Sequence, residues 1–371
     1  MERSGYMDLT KLFVPWYHRI KPYKTDDIAM AWQNRELHRM FVNENPVEPS
    51  EKIVEAVTNA VRLGNRYPDN GVRIRAKIAQ MHGVAPDNVY IGNGSSEIIE
   101  LMCRLFLAPD DDILLPNPIF SLYEIRALNA GANAISVDVT PDMQYDTEAM
   151  LAALTPKTKM MVLCNPNNPT GVFLPDEDIR RLLGTGIPTL FDEAYLEYHP
   201  EHESKAYLIK EYPNTVVSHT FSKAYGMAGI RFGYALADEP IIQAFRKIQL
   251  PWSASLLSIA AAEAALDDAD GLREKIEFNN AQIKYFYQEL SEISGLKPYF
   301  SYGNYMIVDA TELGVNGQEV VDYLFEKKKI MIKAVKTLKE RPGIFRISVG
   351  TARENTECAE AIKAFFAQRR A

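Results

Sequence analysis

The segment TFSKAYGMAGIR, residues 220–231, places Lys223 between hydroxyl side chains and a second cation, Arg231. A lysine in such a setting can form a Schiff base with an aldehyde. Two polar segments precede it, NPNNPTG at residues 165–171 and FDEAY at residues 191–195. Each follows an apolar run typical of a strand, so the three segments together indicate a pocket for an aldehyde cofactor.

Short apolar runs alternate with helical patterns over the middle of the chain. About seven strands are predicted, at Val89–Ile91, Ile113–Leu115, Ala134–Val139, Met160–Leu163, Thr189–Phe191, Val216–His219 and Phe232–Leu236. Helical patterns follow the first three strands, at 97–106, 122–128 and 147–154. This alternation predicts an α/β fold with a mostly parallel seven-stranded sheet. Ligands of such sheets bind at the carboxyl ends of the strands.

The pattern changes after Leu266. A long charged helix is predicted near residues 271–291 and a second helix near 317–328, and strands are predicted at 305–308, 330–332 and 344–349. A chain of 371 residues exceeds what one hydrophobic core usually serves. We therefore predict a smaller α+β domain in the carboxy-terminal part.

Composition excludes several classes of function. The net charge of −8 argues against a nucleic-acid partner, which requires clustered Lys and Arg. No apolar stretch reaches the roughly 18 residues of a membrane span, and the first residues lack the apolar core of a signal peptide. The three cysteines have no CxxC spacing and suggest free thiols rather than a metal site. We expect a cytoplasmic protein without a membrane or metal partner.

The segment GNGSSE at residues 92–97 follows a predicted strand and opens a predicted helix. Its backbone amides and the helix dipole are suited to hold a phosphate, and the small residues Gly94, Ser95 and Ser96 let the anion approach. Taken alone, an ordinary helix cap at Ser95 or Ser96 explains the pattern equally well. Glu97 stands where the dinucleotide fingerprint has its third glycine, which argues against a nicotinamide dehydrogenase.

Two arginines indicate separate positions for anions. The guanidinium of Arg231 can grip a phosphate with a fork of donors that lysine cannot reproduce, and Thr220 and Ser222 can add hydroxyl donors. Arg346 interrupts an apolar strand pattern, FRISVG. A charge in that place has to face an anion or a neighbouring ion pair, because its desolvation is otherwise costly.

Together these segments resemble the aspartate-aminotransferase fold family, and within it the histidinol-phosphate aminotransferases, from about Tyr23 to Arg353. The resemblance implies a fold-type I enzyme that uses pyridoxal 5'-phosphate as cofactor. It implies ping-pong transfer of an amino group between an amino acid or amino phosphate, histidinol phosphate favoured, and a 2-oxo acid such as 2-oxoglutarate. It also implies a homodimer, with residues 1–45 as an arm that contributes to the small domain and the dimer, 46–266 as the large cofactor domain and 267–371 as the small domain.

The resemblance assigns roles to the predicted site residues. Lys223, Asp192 and Tyr195 are the expected catalytic residues: Lys223 holds the cofactor and then moves a proton, and Asp192 pairs with the pyridinium nitrogen. Asn168 and Tyr195 are expected to hydrogen-bond the phenolic oxygen of the cofactor. Phe120 is expected to stack on its ring, although ordinary core packing is an alternative for this side chain.

The substrate side of the resemblance is less complete. The expected substrate-binding residues are Tyr23, Asn45, Asn168, Lys333 and Arg346. Tyr67 matches the position that reaches the partner's cofactor phosphate, although it also fits a Tyr-Pro turn. Histidinol-phosphate enzymes usually carry an arginine where this chain has Lys333, which lacks the bidentate fork.

The departure at Lys333 leaves other substrates open. Aromatic amino acid transfer is one alternative, and decarboxylation of threonine phosphate on the same fold is another. The lysine-rich loop from Lys333 to Pro342 fits either a binding role or a solvent-facing one.

Overall fold

A computed structural model gives the fold and describes residues 8–20 and 22–369. Residues 1–7 and Lys21 of the predicted arm, and the last two residues of the predicted small domain, lie outside these ranges. Within them, no helix is long and apolar enough to cross a membrane.

The helices and strands follow the predicted alternation. The helices are α1 (Asp26–Gln33), α2 (Glu51–Val61), α3 (Val72–His82), α4 (Ser95–Phe106), α5 (Leu122–Asn129), α6 (Thr147–Ala152), α7 (Asp176–Leu183), α8 (Glu239–Ile248), α9 (Leu256–Leu266), α10 (Ala269–Ser291), α11 (Gly317–Lys328) and α12 (Ala352–Gln368). The strands are β1 (His38–Arg39), β2 (Val89–Gly92), β3 (Asp112–Asn117), β4 (Asn133–Asp138), β5 (Thr158–Cys164), β6 (Thr189–Asp192), β7 (Thr215–Thr220), β8 (Gly233–Ala237), β9 (Lys297–Pro298), β10 (Tyr305–Asp309), β11 (Ile330–Met331), β12 (Lys333–Ala334) and β13 (Ile344–Ser348).

The central sheet has seven strands in the order β2-β8-β7-β6-β5-β3-β4. Strand β8 runs antiparallel to both of its neighbours, and the other adjacent pairs are parallel. The prediction of a mostly parallel seven-stranded sheet is therefore confirmed. The carboxyl ends of β3, β5, β6 and β7 meet at one edge, where the predicted polar segments lie.

The sheet is buried on both faces, which explains why its strands read as continuous apolar runs. In β5, Met161 and Leu163 point to one core, while Met160 and Val162 point to the other. Alternate residues of a strand face opposite sides, so this separation is expected for a sheet between two helical layers. Helices α2, α3, α7 and α9 contribute to the first core, and α4, α5 and α8 to the second.

A second body lies in the carboxy-terminal part. Its four-stranded sheet has the order β12-β13-β10-β9 and is antiparallel. Its core joins α10, α11 and α12 to the sheet through Phe286, Leu324 and Ile362, and also includes Met40. Since β1 pairs with β11, the amino-terminal segment packs with this body. These contacts support the proposed division at residues 45 and 266, which stays a proposal.

One strand prediction was wrong in detail. The apolar run Ile330–Ile332 was expected to form a single strand, but β11 ends at Met331 and a separate strand, β12, begins at Lys333. The two belong to different sheets. Because of this break, β11 pairs with β1 whereas β12 pairs with β13. The second pairing places Lys333 opposite Arg346.

Gly233 is expected to be essential for the packing of β8 against the start of α4. A β-carbon at this position would lie 2.6 Å from the backbone nitrogen of Ser95 and 2.8 Å from the backbone carbon of Gly94. Gly233→Ala should therefore lower the free energy of unfolding by about 1–3 kcal/mol, measured by urea titration with circular dichroism. Gly229→Ala is the matched control, because a β-carbon there meets nothing within 4 Å. If the two variants unfold at the same urea concentration, the close approach at Gly233 has no effect on stability.

Candidate active site

A cavity of about 330 Å³ lies at the carboxyl ends of the sheet strands, and β12 and β13 of the second body form its other wall. Most of the predicted site residues line it: Tyr23, Ser95, Ser96, Phe120, Asn168, Asp192, Tyr195, Thr220, Ser222, Lys223, Arg231, Lys333 and Arg346. The fold thus brings together residues that are more than 300 positions apart. Gly94, Asn45 and Tyr67 are not among the lining residues.

Lys223 lies in the turn after β7 and points its amine into the cavity. Its Nζ donates to the backbone oxygen of Asn43 at 3.0 Å and lies 5.6 Å from the ring centroid of Tyr195. No carboxylate of the described residues forms a salt bridge with it. Burial, aided by the nearby Arg346 guanidinium, lowers the pKa of Lys223 to about 8. The fraction of neutral amine near physiological pH is therefore much larger than for an ordinary lysine, and the neutral form is what a nucleophile or a base requires.

Asp192 ends β6 as a buried carboxylate. It accepts hydrogen bonds from the Tyr123 hydroxyl at 2.6 Å and from the backbone nitrogen of Ala194 at 3.0 Å. Burial raises its pKa, although these two hydrogen bonds oppose the shift. No cation within the described ranges forms an ion pair with it. The carboxylate thus suits a ligand group that brings a positive N–H into the cavity.

Tyr123 is a site residue that the sequence did not reveal. It lies in α5, is 1% exposed, and its hydroxyl donates directly to Asp192. In the sequence it stands at an ordinary apolar position of a helix. A buried tyrosine cannot be recognised as a hydrogen-bond donor to a remote carboxylate until the helix is docked on the sheet.

Tyr195 lies at the centre of a second hydrogen-bond network. Its hydroxyl accepts from Asn43 Nδ2 at 3.0 Å and from Asn168 Nδ2 at 3.2 Å. Arg346 donates to Asn168 Oδ1 at 2.9 Å. Burial raises the pKa of Tyr195, so its hydroxyl stays protonated and can donate to a ligand. Asn43, to which the sequence assigned no role, connects this network to the amine of Lys223 through its backbone oxygen.

The start of α4 and Arg231 form a cradle of hydrogen-bond donors. Gly94 has φ +74°, and a β-carbon there would clash with the guanidinium of Arg231, so only glycine fits. Arg231 donates to Ser222 Oγ at 3.3 Å, and Thr220 Oγ1 donates to the same oxygen at 3.0 Å. No described carboxylate forms a salt bridge with Arg231. A helix start, hydroxyl groups and an unpaired guanidinium together suit a phosphate.

The opposite wall carries two cations in direct register. Lys333 of β12 and Arg346 of β13 are paired positions of neighbouring antiparallel strands, and both line the cavity. Arg346 donates to the backbone oxygen of Phe41 at 2.5 Å in addition to Asn168. Neither cation has a salt bridge among the residues that the structure describes. Tyr23 lies beside them, with its ring centroid 6.3 Å from that of Phe120.

Besides Gly94, two predicted residues lie outside the cavity wall. Asn45 donates from Nδ2 to the backbone oxygens of Lys223 at 3.1 Å and Ala224 at 3.2 Å. It therefore fixes the lysine turn, and the structure places no part of it against the cavity. Tyr67 is 76% exposed and stacks on Trp252 at 4.1 Å between ring centroids. Its predicted role toward a partner's phosphate stays a prediction.

A buried ion cluster stabilises the sheet directly behind Asp192. His219 Nε2 lies 2.9 Å from Glu193 Oε2, and its Nδ1 lies 3.0 Å from Glu197 Oε1. Burial alone would lower the pKa of His219, but the hydrogen bonds to both carboxylates raise it to about 10. The imidazolium thus joins the ends of β6 and β7, from which Asp192 and the lysine turn extend.

Comparison with known proteins identifies the family. Residues 36–364 match the family described as aminotransferase class I and II. The chain belongs to this family. A histidinol-phosphate aminotransferase of Idiomarina loihiensis is 34% identical over 363 residues, which cover 95% of this chain and 97% of the relative. Another from Dechloromonas aromatica is 36% identical over 332 residues, covering 88% and 89%.

Solved structures agree with this assignment. The histidinol-phosphate aminotransferase of Sinorhizobium meliloti in complex with pyridoxal 5'-phosphate has a TM-score of 0.86 and 25% identity, with 98% of this chain and 99% of that chain covered. An aspartate aminotransferase of Rhizobium meliloti has a TM-score of 0.84 at 22% identity, which shows the shared fold alone. The protein is a pyridoxal-phosphate-dependent aminotransferase of fold type I.

The cavity of the aminotransferase fits this cofactor. A phosphate requires the unpaired donors of the Arg231 cradle, a protonated ring nitrogen requires a buried carboxylate such as that of Asp192, and an aldehyde requires an uncharged amine such as that of Lys223. All three lie in one cavity without ion-pair partners of their own among the described residues. The donor set is therefore complementary to pyridoxal phosphate in charge and in chemistry.

Lys223 of the cofactor-free aminotransferase is expected to react as a free amine at a lower pH than an ordinary lysine. Its rate of reductive methylation by formaldehyde should rise with a midpoint near pH 8, whereas a lysine in water titrates near about 10.4. Arg346→Gln should move the midpoint upward, because removing a nearby cation favours the protonated amine. Peptide mass spectrometry after short treatments measures the rate at Lys223. A midpoint for Lys223 at about 10.4, the value of a lysine in water, would contradict the lowered pKa.

Proposed function

We propose that this aminotransferase takes its amino group from a phosphorylated amine, histidinol phosphate being favoured, and passes it to a 2-oxo acid such as 2-oxoglutarate. The observation that carries the proposal is the pair formed by Lys333 and Arg346, which face each other across two strands at the cavity wall. Relatives that share about a third of their residues with this chain are named histidinol-phosphate aminotransferases, and these names support the same substrate.

The charge pair requires an anion. Like charges directly opposite each other on neighbouring strands are destabilising. Burial lowers the pKa of Arg346 and that of Lys333, and the Arg346 charge lowers the latter further. A substrate phosphate between them offsets both costs, and the Tyr23 hydroxyl can donate to it. Lys333 acts there as a point charge, since it has no guanidinium fork.

Other residues of the cavity would bind the cofactor. Bound pyridoxal phosphate supplies an electron sink for the negative charge that develops at the substrate α-carbon. We propose that the Arg231 cradle, which includes Gly94, Ser95, Ser96, Thr220 and Ser222, holds its phosphate. Asp192 would pair with its ring nitrogen, Tyr195 and Asn168 with its ring oxygen, and Phe120 would cover one ring face.

Lys223 acts twice in this proposal. Its Nζ would hold the cofactor through the aldehyde group, and the amine, once displaced by the amino group of the substrate, would take the proton from the substrate α-carbon and deliver it to the cofactor. A pKa lowered to about 8 suits both tasks, because it makes the neutral amine far more abundant near neutral pH than in an ordinary lysine. The backbone oxygen of Asn43, 3.0 Å from Nζ, keeps the amine at the cavity wall between the two steps. Reversal with a 2-oxo acid completes a ping-pong cycle.

A substrate panel tests this proposal. The cofactor-loaded enzyme is mixed separately with histidinol phosphate, glutamate, phenylalanine and threonine phosphate, and the change in cofactor absorbance and the products by mass spectrometry are recorded. We expect conversion of histidinol phosphate, whose phosphate fills the site of the two cations, and of glutamate, the amino acid that corresponds to 2-oxoglutarate. Lys223→Ala is expected to abolish turnover while circular dichroism shows an unchanged fold.

Other outcomes of the panel would replace the proposal. Conversion of phenylalanine without histidinol phosphate would make the enzyme an aromatic amino acid aminotransferase. Release of carbon dioxide from threonine phosphate would make it a decarboxylase. Full turnover by Lys223→Ala would refute the role of the lysine itself.

We also propose that the enzyme is a homodimer in the cytoplasm. The three cysteines are free and buried, as suits a reducing compartment. Tyr67 and Trp252 stack on each other although they are 76% and 46% exposed, and Leu250 beside them is 72% exposed. An exposed apolar group of this kind suits a contact with a second copy, which would also bring Tyr67 to the partner's cofactor.

Sedimentation velocity tests the dimer. We expect the wild-type enzyme to sediment as a dimer and Trp252→Glu to shift it toward the monomer, because a carboxylate would be buried in an apolar contact. Tyr287→Glu is the matched control, since Tyr287 is a 38% exposed aromatic residue on α10 of the second body. A monomeric wild-type enzyme, or equal shifts for both variants, would disprove this interface.

A further inference from the structure

We propose that Lys336 is a third cation for the phosphate of the amino donor, and that Arg341 positions the segment that carries it. This inference rests on the proposed function and deepens it. Lys336 was not among the residues expected from the sequence, in which the lysine-rich loop fitted binding and solvent exposure equally.

The first observation is the placement of the loop. Residues 333–337 run along the cavity opposite Phe120, and Lys336 is one of the lining residues. Lys336 has no salt bridge among the described residues. Lys339, three positions later, is exposed like Lys336 but is not part of the cavity lining. The structure therefore distinguishes two lysines that the sequence alone does not.

The second observation is the balance of charge in the cavity. Lys333, Lys336 and Arg346 come from the wall formed by the second body, while the only carboxylate among the described lining residues is Asp192, at the end of β6. The cofactor phosphate has its own cation in Arg231. Lys223 is assigned to the cofactor aldehyde, which leaves Lys333, Lys336 and Arg346. These three suit a second dianion, and a phosphate monoester carries a charge of about −1.5 to −2 at neutral pH.

The third observation is that the loop is held in place by Arg341. Its Nε and Nη2 donate to Asp309 Oδ2 of β10 at 2.9 and 2.6 Å, and its Nη1 donates to the backbone oxygen of Pro141 at 2.8 Å. Pro141 follows β4 of the central sheet, so Arg341 joins the two bodies. Asn117 Nδ2, at the end of β3, also donates to the backbone oxygen of Thr337 at 3.3 Å. Lys336 thus stands on a segment that is fixed from both sides.

Arg341 cannot itself contact the substrate, because it is not among the lining residues. We assign it a positioning role. A lysine cannot reproduce its three directed contacts, since it has a single nitrogen in place of the planar fork. The position of Lys336 relative to Lys333 and Arg346 therefore depends on the guanidinium of Arg341.

Binding of an unreactive phosphate monoester tests the role of Lys336. Glycerol 3-phosphate, which has no amino group, is titrated calorimetrically into the cofactor-loaded enzyme. We expect Lys336→Met to weaken binding by about tenfold, as loss of one charge-assisted contact implies. The matched control Lys339→Met removes the same charge from the same loop and should leave the dissociation constant unchanged. Equal weakening by both variants would mean that only the total charge of the loop matters, and it would overturn the proposal. Tighter binding of glutarate, a dicarboxylate, than of glycerol 3-phosphate would also overturn it.

Steady-state kinetics and unfolding test the role of Arg341. Arg341→Lys should raise the KM for histidinol phosphate by about tenfold, with kcat and the cofactor absorbance unchanged, because only the substrate wall is displaced. Arg353→Gln, which removes an exposed ion pair on α12, is the control and should leave the KM unaltered. A lowered melting temperature of Arg341→Lys with an unchanged KM would show a merely structural role and would overturn the positioning assignment.

Failure of this inference is distinguishable from failure of the proposed function. If histidinol phosphate is not converted but Lys336→Met alone weakens glycerol 3-phosphate binding, the phosphate site stands and the donor is another phosphorylated amine. If histidinol phosphate is converted while Lys336→Met and Lys339→Met bind glycerol 3-phosphate like the wild type, the proposed function stands and Lys336 is not part of the site.

Discussion

The active site depends on one buried carboxylate, that of Asp192, which the described part of the chain leaves without a cation. Moving a charge out of water is costly, and hydrogen bonds from Tyr123 and from the backbone of Ala194 offset only part of that cost. A buried carboxylate at the end of a central strand is suited to a positive ring nitrogen, which is the role proposed for it above. The helix that supplies Tyr123, the strand that ends at Asp192 and the ion cluster at His219 all stabilise this one arrangement.

The other charges of the cavity are cations, and they are divided between two bodies. Arg231 and the start of α4 come from the central sheet, while Lys333 and Arg346 come from the four-stranded sheet. Neither body contains both groups of cations, and the proposed binding of two separate anions in one cavity therefore depends on how the two bodies pack.

Much of this could be predicted from the sequence. The strands of the central sheet read as apolar runs because both faces are buried, and their ends carried the polar segments that line the cavity. Lys223, Asp192 and Arg231 stand in local patterns whose chemistry is evident from residue type and spacing. Tyr123, Asn43 and Lys336 could not be found in this way, because a tyrosine in a helix, an asparagine in a loop and a lysine in a polar loop each have many ordinary explanations.

The sequence by itself determined the fold class, the order of strands and helices along the chain, the cofactor and most of the charged residues that line the cavity. It could do so because periodicity and strand-end motifs are local properties of the chain. Only the tertiary structure decided that Lys333 faces Arg346, that Lys336 rather than Lys339 lines the cavity, and that Asn45 fixes the lysine turn from outside it. Those facts depend on strand register and on how two bodies pack, and both arise from contacts between segments that lie far apart along the chain.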